Sequence, residues 1–170
     1  TGITAADITG NGHDAVYSGA FTLGAPGLVP LNSGAAVDFT GGADPDGATA
    51  TAPYSDTLNP ATFTVEFWAK PDDVNGTYAV AMQDRTTGDP PRLGYAIQMN
   101  NLTTGWDFTF GTSPTADNTI SSGTPVEAGT VYYVVATYDG TAAKLYVNGA
   151  LVSSLVTTYQ PTTPNALGFT

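Results

Sequence analysis

Flat aromatic rings and planar polar side chains are the parts of this sequence whose types best suit recognition chemistry. Sugars and similar polar ligands are held by aromatic faces, with a few amide, carboxylate or guanidinium groups fixing their orientation. Trp68, Tyr95, Gln98, Trp106 and Asp107 supply these types and fall on strand-like segments. Asp84, Arg85, Asp89 and Arg92 gather in the stretch between them, which holds two of the four basic residues of the chain. Such a cluster at a sheet rim suits a polar or acidic ligand. The same residues have a plainer reading, in which the rings are core and the Arg–Asp pairs brace a loop.

Catalytic and metal-binding sets are thinner. Glycoside hydrolysis needs two carboxylates flanking the bond, roughly 5–9.5 Å apart. Glu66 stands without an acid at positions 64, 68, 69 or 70. It reads as a sheet-face residue paired with Lys70 or Lys144, and the chain as no enzyme. His13 is the only histidine. It sits in a glycine-rich loop without a nucleophile motif, as a solvated loop residue. With one His and no Cys, zinc sites, disulfides and thiol nucleophiles are excluded. Asp7, Asn11 and Asp14 are candidate calcium ligands, because D-x-T-x-N-G matches the start of an EF-hand loop. The twelfth position is Ser18 rather than Glu and no helix flanks the loop, so an EF-hand is excluded. Calcium held by Asp side chains and loop carbonyls stays open, with Asp44 and Asp46 as the next candidates. Turn formation is the alternative for both groups. Asn75-Gly-Thr77 and Asn101-Leu-Thr103 match the glycosylation acceptor pattern.

These residues must be positioned by strands. The 170 residues suffice for one domain, placed over 1–170, and 41% are hydrophobic, enough to form a core. Charged residues make up only 11%, and the acids are thirteen Asp and two Glu, a bias toward turns. A net charge of −11 repels phosphate backbones and anionic membranes, so nucleic acid is excluded as a partner. No stretch reaches the roughly 20 apolar residues of a membrane span. Beginning at Thr1 without Met, the chain reads as a processed or excised product. In residues 62–70, Phe63, Val65, Phe67 and Ala69 alternate with Thr64, Glu66, Trp68 and Lys70, a period that sends the two sets to opposite faces. Further strands are expected at 15–21, 35–39, 77–83, 93–99, 105–111, 131–138, 143–147 and 150–156. Asp139-Gly140 and Asn148-Gly149 separate the last three, which read as an antiparallel meander joined by tight turns. Roughly ten short strands with no helical period predict an all-β, two-sheet antiparallel sandwich. Phe63, Val65, Phe67, Val135, Val147 and either Leu145 or Tyr146 are expected between the sheets.

Several segments, in this order, resemble a known family. Asp7-Ile-Thr-Gly-Asn-Gly-His-Asp14 is similar to an opening D-x-S-G-N-G loop, and Ala35–Phe39 with Gly41–Asp46 to a strand followed by an Asp-containing loop. Phe63-Thr-Val-Glu-Phe-Trp-Ala-Lys-Pro71 resembles an F-T-V-E-F-W-x-K-P strand. Gly94–Ile97 and Trp106–Phe108 fit the middle strands, and Tyr133–Gly140 with Leu145–Gly149 match a Y/H-x-V-A-T-Y-D-G…L-Y-V-N-G signature. The family is the laminin G-like branch of the concanavalin A-like lectin/glucanase jelly rolls, of bacterial extracellular type, and the resemblance covers nearly the whole chain. It implies a jelly roll, a secreted or cell-surface location, and a non-catalytic lectin-like or adhesive module of a larger protein, with a glycan or cell-surface polymer as partner. Family members continue after a segment like Ala166–Phe169 into a strand resembling G-x-I-D-E-V, whereas this sequence ends at Thr170. The resemblance therefore also carries the reading of a sandwich short of its last strand. On the alternative function, such a chain is a structural subunit of a filament, surface layer or viral appendage, completed by strand donation and self-association.

Overall fold

The computed structural model describes residues 2–29, 34–39, 47–74, 77–85, 92–100 and 104–162, with the backbone alone at 77 and 78. Among them the chain forms thirteen strands and a one-turn 3-10 helix at Asp56–Leu58. The strands are β1 (Thr4–Ala5), β2 (Ala15–Ser18), β3 (Phe21–Pro26), β4 (Ala35–Phe39), β5 (Thr49–Thr51), β6 (Phe63–Ala69), β7 (Thr77–Arg85), β8 (Gly94–Asn100), β9 (Gly105–Ser113), β10 (Ala116–Ser121), β11 (Tyr132–Tyr138), β12 (Ala142–Val147) and β13 (Ala150–Val156). Every pairing is antiparallel. Two four-stranded sheets carry the core: a back sheet, β13-β12-β11-β6, and a front sheet, β10-β9-β8-β7. Smaller sheets, β1-β2-β5 and β3-β4, are linked through the Tyr17 ring, stacked on Phe21 at 5.0 Å and tilted against Phe39 at 6.2 Å.

Alternation builds the sandwich. The back sheet sends Val65, Val134, Ala136, Tyr138, Ala143 and Leu145 into a core completed by Tyr95, Ile97, Met99, Trp106, Phe108, Phe110 and Ile120 of the front sheet. Rings cross between the sheets, with Phe63 stacked on Tyr95 at 4.6 Å and the edge of Phe67 against Trp106 at 5.7 Å. Each of the fully buried side chains Phe108, Phe110, Ile97, Leu145 and Val134 contributes about 1.5–3 kcal/mol by leaving water. Along one side β10 approaches β13, and Asn118 Nδ2 donates to Thr157 Oγ1 at 3.2 Å.

The all-β reading holds, as does the face assignment of β6: Phe63, Val65, Phe67 and Ala69 turn inward and Thr64, Glu66, Trp68 and Lys70 outward. The meander is present in β11, β12 and β13. Its second turn has positive φ at both Asn148 (52°) and Gly149 (81°), the type I′ geometry that matches strand twist. The first turn differs. It spans residues 139–141, with positive φ at Gly140 alone and the Asp139 carboxylate accepting from the Thr141 and Ala142 N–H groups. The strand expected at 15–21 is two, split at Gly19, whose φ is 74°. Val135 is corrected as well. Val134 and Ala136 are the inward residues, and Val135 lies on the outer face opposite Glu66 and Tyr146. Of the two alternatives at 145–146, Leu145 is the buried one.

Candidate functional site

The site builds from β9. With Trp106, Phe108 and Phe110 committed to the core, the pleat turns Asp107 and Thr109 to the outer face of the front sheet. Register then fixes their neighbours. One row across the sheet is Val80, Gln98, Asp107 and Ser121; the next is Gln83, Ala96, Thr109 and Thr119; the third is Arg85, Gly94, Gly111 and Asp117. The chain folds against this face at two glycines. The Arg92 carbonyl lies 1.9 Å from where a Cβ on Gly111 would stand, and the Thr124 carbonyl lies 1.9 Å from the same point on Gly105. Between these two crossings lies a polar strip, the trough, with the buried Asp107 and Thr109 as its floor. The floor is buried, whereas on the back sheet the outward residues Thr64, Glu66 and Trp68 are exposed.

Asp107 is the chemically unusual group. It is 3% exposed, and its Oδ2 accepts from Asn100 Nδ2 at 3.3 Å. Its Oδ1 is buried without a hydrogen-bond partner, a state that costs the desolvation of an unsatisfied acceptor. Beside it, the Thr109 and Thr119 hydroxyls bond at 2.8 Å. At the far end of the trough, Asp117 accepts from Arg85 at 2.5 Å and from Arg92 at 3.2 Å.

The structure thus brings together Arg85, Arg92, Gln98 and Asp107 of the residues read from sequence, and separates the others. Tyr95 and Trp106 are corrected to core, at 4% and 2% exposure, because both lie on the inward register of their strands. Asp84 also turns inward. It pairs with Tyr95 in register and is buried with an unpartnered Oδ1; burial pushes its carboxyl up to about 6. Trp68 lies on the opposite side of the molecule from Gln98 and Asp107, since β6 belongs to the back sheet. There it stacks on Tyr133 at 4.9 Å. The Tyr133 hydroxyl donates to the Glu66 carboxylate, which holds the phenol above its usual range. The expected lysine partners of Glu66 are bound elsewhere, Lys70 to Asp72 at 3.8 Å and Lys144 to Asp139 at 2.9 Å. Asp89, Asp44, Asp46, Asn75 and Asn101 lie outside the described residues.

The opening loop spends its acids on itself. Asp7 Oδ1 accepts from the Thr9 N–H and hydroxyl, and Oδ2 from the His13 N–H. These bonds, that of the Thr9 hydroxyl foremost, hold its pKa down to about 2. Asp14 Oδ1 accepts from the Asp7 N–H. Among the described residues no three His, Cys, Asp or Glu side chains group to hold a metal ion; Asp7 and Asp14 are instead seen bonded within the loop. His13 is half-buried rather than solvated, with Nε2 bonded to the Thr57 hydroxyl at 2.8 Å. Sequence reasoning missed Asn100, Thr109, Asp117 and Ser121. Stepping by two from Gln98 and Asp107 along their own strands finds Asn100 and Thr109, whereas Asp117 and Ser121 needed the pairing of β10 with β9.

A laminin G-type family model, described as the concanavalin A-like lectin/glucanases superfamily, matches residues 40–170. Among solved structures, domain 4 of AbnA, a GH43 extracellular arabinanase from Geobacillus stearothermophilus, in complex with arabinotriose, superposes with a TM-score of 0.70 at 17% identity. The match covers 96% of this chain and 75% of that one. The carbohydrate-binding module CBM66 from Bacillus subtilis matches at a TM-score of 0.48 and 18% identity, over 88% of this chain and 85% of that one. No match is found among the curated proteins. No helix among the described residues is long and apolar enough to cross a membrane.

Proposed function

This chain belongs to the concanavalin A-like lectin/glucanases superfamily, and from that premise we propose that it is a non-catalytic glycan-binding module. It works outside the cell or at its surface, as part of a larger protein. The observation that carries the reading is Asp107, a buried carboxylate in the floor of a polar trough with one oxygen unpartnered. The partly exposed amides of Gln98 and Asn100 and the hydroxyl of Ser121 offer a sugar donors and acceptors beside it, and the unpartnered oxygen of Asp107 is the complementary acceptor for a hydroxyl inserted between them. The geometry argues against hydrolysis on this face. Asp117 stands opposite Gly111, four residues along β9 from Asp107, or about 13 Å, well beyond the roughly 5–9.5 Å that glycosidic carboxylates span. Asp117 is moreover held by two arginines.

The test is binding to a panel of neutral polysaccharides and oligosaccharides, arabinotriose among them, run with calcium and with EDTA. The expected result is binding to at least one ligand, weakened about tenfold or more in Asp107→Asn, as for loss of a charge-assisted hydrogen bond. Flat signals across the panel defeat the reading. Wild-type affinity in Asp107→Asn defeats the site. Calcium remains part of the proposal, with Asp7, Asn11, Asp14, Asp44 and Asp46 as its candidate ligands, and the EDTA arm tests it.

Self-association is a second reading, favoured by β13. Among the described residues this strand pairs only with β12, and it exposes Leu151, Val152, Leu155 and Val156, an apolar edge of the kind that adds a strand from another chain. Light scattering after size exclusion decides it: a monomer at micromolar concentration removes this reading.

A further inference from the structure

The opening loop and the 3-10 helix border an open cavity of about 750 Å³ that the trough does not include. This volume lies within the roughly 300–1,000 Å³ of small-ligand sites. Its wall combines Asp7, Asn11 and His13 from the loop with Ser55, Thr57 and Leu58 from the helix turn. The two segments, far apart in sequence, are tied by the His13–Thr57 bond at 2.8 Å, and Ser55 Oγ continues that chain to Thr57 Oγ1 at 2.8 Å. Asp7 is clamped by its three loop bonds, so the wall is preorganised.

We propose that this cavity is a second binding site, which takes a single neutral hydroxylated ring such as a free monosaccharide or the terminal unit of a glycan chain. A linked row of imidazole, hydroxyl and hydroxyl groups can both donate to and accept from ring hydroxyls, and the Asn11 amide adds a planar donor–acceptor pair. Leu58, with alanines from both segments, offers an apolar patch to the C–H face of the ring. The ionised Asp7 disfavours uronates and phosphorylated sugars by like-charge repulsion. The proposal rests on the glycan reading only for the class of ligand, since none of its wall residues belongs to the trough.

The experiment is a titration of the isotopically labelled chain with free glucose, galactose, arabinose, xylose and fructose, each separately, and with glucuronate. Amide shifts are followed in loop 7–13 and at 55–58. At least one neutral sugar is expected to move these amides with saturation, and glucuronate to leave them unmoved. Thr57→Val and Asn11→Ala should each weaken that binding about tenfold, as for loss of one well-placed hydrogen bond. Asp107→Asn should leave it unchanged. If no neutral sugar shifts the loop, or if both cavity variants bind like the wild type, the proposal is overturned. Loss of binding in Asp107→Asn overturns it equally, because the shifts then report the trough. If Thr57→Val does not fold, Asn11→Ala, at an exposed loop position, and Ser55→Ala decide the matter. Failure of this site with retained, Asp107-dependent polysaccharide binding leaves the module's proposed function standing.

Discussion

Asp84 places a carboxyl where charge is expensive. Its Oδ1 has no partner, and burial alone raises its pKa from 3.8 to about 6. Because the folded value lies above the unfolded one, the folded state binds the proton more tightly. This contribution to stability is therefore fully present below about pH 4 and lost as pH rises through about 6, the reverse of an ordinary salt-bridged acid. A shift of this size corresponds to on the order of 2–3 kcal/mol. Thermal unfolding of the wild type and of Asp84→Asn, followed from about pH 4 to about pH 7, should show the variant gaining relative to the wild type as pH rises. A constant difference between the two would mean that Asp84 does not titrate in that window. Gly111 makes a steric argument at the same scale. Its φ is ordinary, but a Cβ would lie 1.9 Å from the Arg92 carbonyl, and backbone cannot yield that distance. Gly111→Ala should lower the denaturant midpoint by the equivalent of about 1–3 kcal/mol, as overpacking does, whereas Gly123→Ala, with open space around it, should cost only the strain of its positive φ.

Strand β6 shows how one element divides its work. Its inward rings meet the front sheet while its outward residues face solvent or one another. Phe67→Ala removes the edge contact on Trp106 and should cost about 3 kcal/mol, the lower end for aromatic truncation because Phe67 is only partly buried. Thr64→Ala should stay within about 0.5 kcal/mol. Chemical denaturation of both variants checks this pair; equal costs would mean that the faces are wrongly assigned. The β12–β13 turn is a second element with one decisive residue. Gly149→Val places a β-branched side chain at φ 81°, a conformation that costs roughly 1–2 kcal/mol for L residues. The register of β13 should loosen accordingly, read as faster amide exchange from Ala150 to Val156.

At the scale of the molecule, a net charge of −11 surrounds the trough. Retention on a neutral polysaccharide should therefore change little from low to high salt, and retention on an anionic one should appear only at high salt, where repulsion is screened. Strong salt-sensitive binding to an anionic polymer would contradict this. What the sequence determined by itself was local. The period of two in β6, the Asn-Gly turn and the absence of helical periodicity depend on neighbours a few residues apart, and these fixed the class, the meander and the inward rings. The grouping of strands into sheets depends on contacts between residues far apart along the chain, which no local pattern reports. Hence Trp68 and Trp106, alike in sequence as aromatics on strands, part company: one stacks on Tyr133 at the surface, the other fills the core. Strand β9 shows the limit most plainly. Its sequence alternates Trp106, Phe108 and Phe110 with Asp107 and Thr109, which separates the two sides, but that the polar side is buried as well, from Gly105 to Gly111, no alternation reports. Only the chain folding over that face buried Asp107 there and left its Oδ1 without a partner.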